Sequence, residues 1–172
     1  LRGVLFIAAI IALNAVRAGA ESAPMPDREQ QFVTIIQKAR ESFNTAKTDE
    51  ARRNARLALQ IAMNDFMGLA RQVDNWVGVF KNTQKTQEGD RTIEIEISTG
   101  ITIRTFDARF LDSQYDTLVR SYAPLAKIVD AMKIGAPVQF SALMIGTPVA
   151  ADDQMVQTPV IIARFTDLRQ PE

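Results

Sequence analysis

The feature that most constrains the fold is a run of strict alternation. In Thr92-Ile93-Glu94-Ile95-Glu96-Ile97 every second residue is isoleucine, and after Ser98-Thr99-Gly100 the pattern resumes as Ile101-Thr102-Ile103-Arg104. A period of two gives each run one apolar and one polar face, which is the signature of a strand with one side buried. Parity also fixes how the two runs pair. A two-residue turn at Thr99-Gly100 would set Ile97 beside Thr102, mixing the faces. A three-residue turn with Gly100 in the left-handed conformation pairs Ile97 with Ile101 and Ile95 with Ile103. Glu96 then lies opposite Thr102, and Glu94 opposite Arg104, where a cross-strand ion pair worth roughly 0.2–1 kcal/mol is expected.

The chain before this hairpin reads differently. Phe32, Ile36, Ala39, Phe43 and Ala46 recur at steps of four and three, predicting a helix over about 28–46 that opens on a capping box of Asp27 and Gln30. Ala55, Ala58, Leu59, Ala62, Phe66 and Leu69 form a second stripe, with Thr48 or Asp49 as its cap. The short link between them predicts a helical hairpin. Arg52, Arg53 and Arg56 make a basic patch on the second helix, with Asp49 placed to pair with Arg53. From Asn75 the period becomes two, with Trp76, Gly78 and Phe80 on one side of a first strand, the aromatics reading as core. A polar loop over 82–90 leads to the isoleucine hairpin.

Residues 107–121 have no period. Asp107, Asp112 and Asp116 lack the alternate acids and central glycine of a calcium loop, so a solvated loop is expected. Ser121 can cap a helix over about 123–133, with Pro124 in its first turn and Leu125, Ile128, Val129 and Met132 on one face. Val138, Phe140 and Ala142 mark a fourth strand. Residues 147–157, with Asp152 and Asp153, read as a polar loop, and residues 160–168 as a fifth strand.

Three strands, a helix and two strands is the order of the OB-fold, a small Greek-key barrel. The chain is therefore read as α+β, with an N-terminal helical hairpin over 27–72 packed on a five-stranded barrel over 73–172. Further residues carry a family likeness: Trp76-Val77-Gly78-Val79, Ala123-Pro124-Leu125-Ala126, and Lys133-Ile134-Gly135-Ala136-Pro137-Val138-Gln139-Phe140-Ser141. With these, the stretch from about Ala62 to Leu168 resembles bacterial exported OB-fold domains of the tRNA-anticodon-like type. Ala136-Pro137 replaces that family's acid and polar pair, and Ala142 its glycine, which requires Pro137 to stand at a strand start. The resemblance implies a fold rather than an activity.

Arg2, an apolar stretch from Gly3 to Val16 and the small residues Ala18-Gly19-Ala20 together read as a secretory leader over 1–20 with cleavage after Ala20. The apolar run is shorter than the ~20 residues a spanning helix needs, so no stable membrane insertion is expected after cleavage. Residues 21–26, with two prolines, read as a tether. Without the leader, 20 acidic and 18 basic side chains remain. This describes a periplasmic or secreted domain that is slightly acidic.

The composition narrows the function. The chain has no histidine and no cysteine, which removes the usual general base, thiol chemistry and the usual zinc and iron–sulfur ligands. The glycines are too dispersed for a phosphate-cradling loop. No catalytic residue, metal or cofactor is expected. An OB-fold holds its ligand across strands two and three and the flanking loops, which singles out Glu94, Glu96, Thr102, Arg104 and Phe106, with Lys85 and Asp152 on the loops. Two glutamates on that face disfavour phosphate, so nucleic acid is not the expected ligand. The expectation is a non-catalytic binding module for an envelope protein or peptide. An oligonucleotide or oligosaccharide binder and a carboxylate-dependent hydrolase are the alternatives.

Overall fold

A computed structural model describes residues 24–147 and 153–171. The leader expected over 1–20 lies outside these residues. Helices α1 (Asp27–Thr45) and α2 (Asp49–Leu69) precede strands β1 (Gln72–Asn82), β2 (Glu94–Ser98) and β3 (Ile101–Arg104). Short α3 (Arg109–Asp112), α4 (Pro124–Ala131), β4 (Pro137–Gly146), α5 (Asp153–Gln157) and β5 (Val160–Arg169) follow. The strands close in the order β1-β2-β3-β5-β4. β3 and β5 run parallel while the other pairs are antiparallel. This is the expected α+β architecture, with α4 in the interval between the third and fourth strands.

The helices form where the apolar stripes predicted them, but their ends differ. Thr48 caps α2, its hydroxyl accepting the Ala51 N–H at 3.1 Å. The capping box of α1 does not form. Pro26 occupies the cap position, Asp27 is already helical, and the Gln30 amide donates to the Met25 carbonyl. Ser121 does not cap α4 either. Ala123 stands at that position, and the Ser121 N–H is taken by the Asp90 carboxylate at 3.0 Å. In α2 the buried stripe is Ala55, Leu59, Met63 and Phe66, while Ala58 and Leu69 face out. Alanine contributes too little area to decide a face, and Leu69 is the last residue of its helix. Asp49 pairs with Arg52 rather than Arg53, and Arg56 reaches Asp153 of α5. The stretch expected as a loop over 147–157 thus contains a helix that docks on the hairpin.

Hairpin and barrel share one core. Phe32 of α1 lies 5.1 Å from Phe66 of α2 and 5.3 Å from Trp76 of β1, centroid to centroid. Trp76 continues to Phe140, which meets Phe165 at 5.5 Å. Such tilted and edge-on contacts suit the ring quadrupoles. All five rings are buried. The helices therefore close the end of the barrel rather than standing apart from it.

β1 begins earlier than its alternation indicates because a bulge between Val73 and Trp76 breaks the period. Asn75 there has φ +58°. The extra residue lets both Val73 and Trp76 face the core. Farther on, a Cβ added to Gly78 would stand 2.6 Å from Ile95 Cγ2 and 2.8 Å from the Glu96 carbonyl oxygen. Backbone cannot yield as a side-chain tip can. Gly78→Ala is accordingly expected to destabilise the barrel by about 1–3 kcal/mol, read as a lower urea midpoint.

The isoleucine hairpin keeps its predicted register over most of its length. Ile95 pairs with Ile103, Glu96 with Thr102 and Glu94 with Arg104. At the turn, Ile101 takes Ser98 as partner instead of Ile97, and the register shifts by one between Ser98 and Glu96. Gly100 adopts φ +68° as the turn requires. Ile97 and Ile101 still both reach the core. Pro137 is the first residue of β4, where a missing N–H is tolerated.

Candidate ligand-binding face

Parity carries Glu94 and Glu96 of β2 and Thr102 and Arg104 of β3 to the outward face, all four half-buried, while Ile93, Ile95, Ile101 and Ile103 fill the barrel. Phe106 lies two residues past the end of β3. Its ring stacks on Tyr115 at 6.0 Å, and its N–H donates to the Thr117 hydroxyl. Lys85 lies in the β1–β2 loop. There it helps line a groove of about 410 Å³ between residues 84–88 and the segment Asp107–Phe110. Asp152 is outside the described residues. Its neighbour Asp153 is turned toward Arg56 of the hairpin.

The two glutamates of the face play different parts. Glu96 Oε1 accepts the Gly100 N–H at 2.9 Å, and its Oε2 accepts from Lys81 Nζ at 3.0 Å. The turn N–H and then the ammonium hold its carboxyl below the ordinary glutamate pKa. Glu96 is therefore engaged in closing the β2–β3 turn. Glu94 is opposite Arg104, but the expected ion pair does not form. Register sets backbone partners, whereas two long side chains on a twisted sheet can diverge.

An ionic cluster that periodicity did not reveal borders the groove. Asp90 and Asp112 are 1 % and 0 % exposed. Asp90 Oδ2 accepts from Arg120 at 2.8 Å and from Arg109 at 2.7 Å, and its Oδ1 accepts the Ser121 N–H. Asp112 accepts the N–H and hydroxyl of Thr117, the Leu118 N–H and, at 2.8 Å, Arg120. Arg120 also pairs with Asp116, and Arg91 makes a two-pronged pair with Asp130. The segment expected as a solvated loop over 107–121 is thus tied down by a buried network. Its one trace in the sequence is the spacing of four between Asp112, Asp116 and Arg120. That spacing carries no meaning until the chain turns back on itself.

Burial opposes ionisation of Asp90. The hydrogen bonds from Arg120, the Ser121 N–H and Arg109 outweigh it and hold the carboxyl below the usual aspartate range. Four cations on this side of the barrel are consequently committed. Lys81, Arg91, Arg109 and Arg120 all answer to carboxylates of the chain itself. Exposed apolar groups are present nearby in sequence, with Phe110 76 % and Tyr122 86 % exposed.

Comparison with known family models, with curated proteins and with solved structures returned no match, so function has to be read from these residues themselves.

Proposed function

We propose that the protein is a non-catalytic OB-fold binding module of the cell envelope, and that its ligand is another envelope protein or a peptide met across the β2–β3 face. The observation that carries this reading is the commitment of four cations near the face to carboxylates of the chain itself. A phosphate backbone is held by lysines and arginines free to displace its counterions, and four such groups beside the face are neutralised internally. A face of mixed charge, with the stacked Phe106 and Tyr115 just past the end of β3, suits a protein surface or an extended peptide. The leader-like start of the sequence supports export. An oligosaccharide is the second reading, favoured by Phe110, which lines a groove otherwise made mostly of polar residues.

A photo-crosslinking residue at Thr102 is expected to give, in living cells, an adduct with an envelope polypeptide identifiable by mass spectrometry. In a parallel titration, an oligothymidylate is expected to bind weakly even at low salt. Tight oligonucleotide binding that collapses between about 50 and 200 mM salt would instead establish a nucleic-acid binder and overturn the proposal.

A further inference from the structure

Arg104 stands apart from every other arginine of the described residues. Arg28 and Arg40, also half-buried, donate to backbone carbonyls. Arg56, Arg91 and Arg120, half-buried too, pair with carboxylates, and Arg53, Arg71 and Arg164 are exposed to water. Arg104 alone is half-buried and without a partner, its Nε shut off from solvent and bonded to nothing. That Nε has given up hydration without replacement, and the guanidinium's fork of donors is suited to a carboxylate.

The surroundings say which kind. Arg104 sits between Glu94 of β2 and Ile162 of β5. Ile161 and Ala163 belong to the barrel core, so Ile162 faces outward with Arg104; at 1 % exposed it is covered by the protein itself and shields that flank of Arg104 from water. The stacked pair Phe106 and Tyr115 follows just beyond the strand. On this face Glu96 is neutralised by Lys81, and Glu94 has no cation within ion-pair distance. A polyanion would meet one free cation beside one free glutamate. A single carboxylate on an otherwise uncharged, partly apolar chain meets the cation alone.

We propose that Arg104 is the anchor for one carboxylate of a peptide laid across β2 and β3, supplied by an acidic side chain or by the chain terminus. This rests on the reading of that face as the ligand face.

The test is amide chemical-shift titration of the purified protein with four probes. Three are pentapeptides of one apolar composition: a central Glu with both ends blocked, a central Gln with both ends blocked, and a central Gln with a free C-terminus. The fourth is an oligothymidylate. The Glu peptide, the free-terminus peptide or both are expected to bind at least tenfold more tightly than the blocked Gln peptide, shifting amides around Thr102–Phe106. Comparison of the first and third identifies the source of the carboxylate. Arg104→Gln is expected to abolish that preference, and Glu94→Gln to tighten binding severalfold by removing a like charge; both variants are checked for an unchanged thermal transition. If Arg104→Gln fails that check, the Glu94→Gln comparison decides alone. Equal binding of all three peptides on this face would overturn the carboxylate anchor while leaving the binding module standing. No shift on the face with any peptide, or preference for the oligonucleotide, would overturn both.

Discussion

Replacing Arg120 by alanine is expected to cost the fold about 3–5 kcal/mol, because removal of one member of a buried ion pair leaves the other charged and unhydrated. Here two aspartates would be abandoned together. Among the described residues Arg120 is the only cation on Asp112, which is fully buried, and it shares Asp90 with Arg109, which is half exposed and a weaker substitute. Lysine at this position would restore a charge but not the fork that reaches Asp90, Asp112 and Asp116 at once. Only partial recovery is expected from Arg120→Lys. Urea unfolding at neutral pH measures both. A loss below 1 kcal/mol for the alanine variant would show that the aspartates are hydrated or repaired by other groups.

The acid limb of stability follows from the same cluster. Asp90 has a lower pKa folded than unfolded, so it contributes stability that is fully present above its unfolded value and is lost as pH falls through the folded one. Stability should therefore decline below about pH 4, and in the Arg120→Ala variant that acid dependence should flatten.

Glu29 has the opposite sign. It lies near the start of α1, 0 % exposed, with Oε2 accepting the Val77 N–H at 2.9 Å and Oε1 bonded to nothing. Val77 belongs to the part of β1 that pairs with β4 alone, so Glu29 satisfies an edge N–H that β2 does not reach. Arg28, its neighbour, is turned to the carbonyls of Ala70 and Gln72 and lies over the Phe66 ring, and no cation among the described residues answers Glu29. Burial, opposed in part by the Val77 hydrogen bond, pushes its pKa up to about 8.

A carboxyl raised from 4.5 to about 8 binds its proton more tightly in the folded state. Its contribution is present in full below pH 4.5 and declines until the pH passes 8. The integrated loss is on the order of 4–5 kcal/mol at 1.36 kcal/mol per pKa unit. Glu29→Gln keeps an acceptor for Val77 and cannot ionise. The variant is expected to match the native protein near pH 5, to exceed its stability by several kcal/mol at pH 9, and to show no slope between. An unchanged slope in the variant would mean that Glu29 is charged and hydrated in the folded protein. Taken with Asp90, these two groups place maximal stability on the acid side of neutrality.

Both residues show what a linear reading can and cannot reach. Within an element the apolar period reports which face is buried, because a slip of one residue would expose every isoleucine of the β2–β3 hairpin at once. The helices α1, α2 and α4, the five strands, their OB-fold order and the pairings Glu94–Arg104 and Glu96–Thr102 are legible for that reason. The same reasoning brought four of the seven candidate residues to one face. Where a residue is small or terminal, as Ala58 and Leu69 are, its period carries little free energy and the stripe misleads.

Charged side chains have no such period. Glu29 is partnered by Val77, 48 positions away, and Asp90 by Arg120, 30 positions away; in the sequence each is one more polar residue near an element's end. The sequence by itself determined the longer helices, the strands, the barrel order and which side chains of the β2–β3 hairpin face outward. The tertiary structure alone decided which charges are consumed within the protein and that Arg104 is left without one. Burial of a face follows from local spacing, whereas the pairing of a long charged side chain depends on what the fold brings within about 4 Å of it.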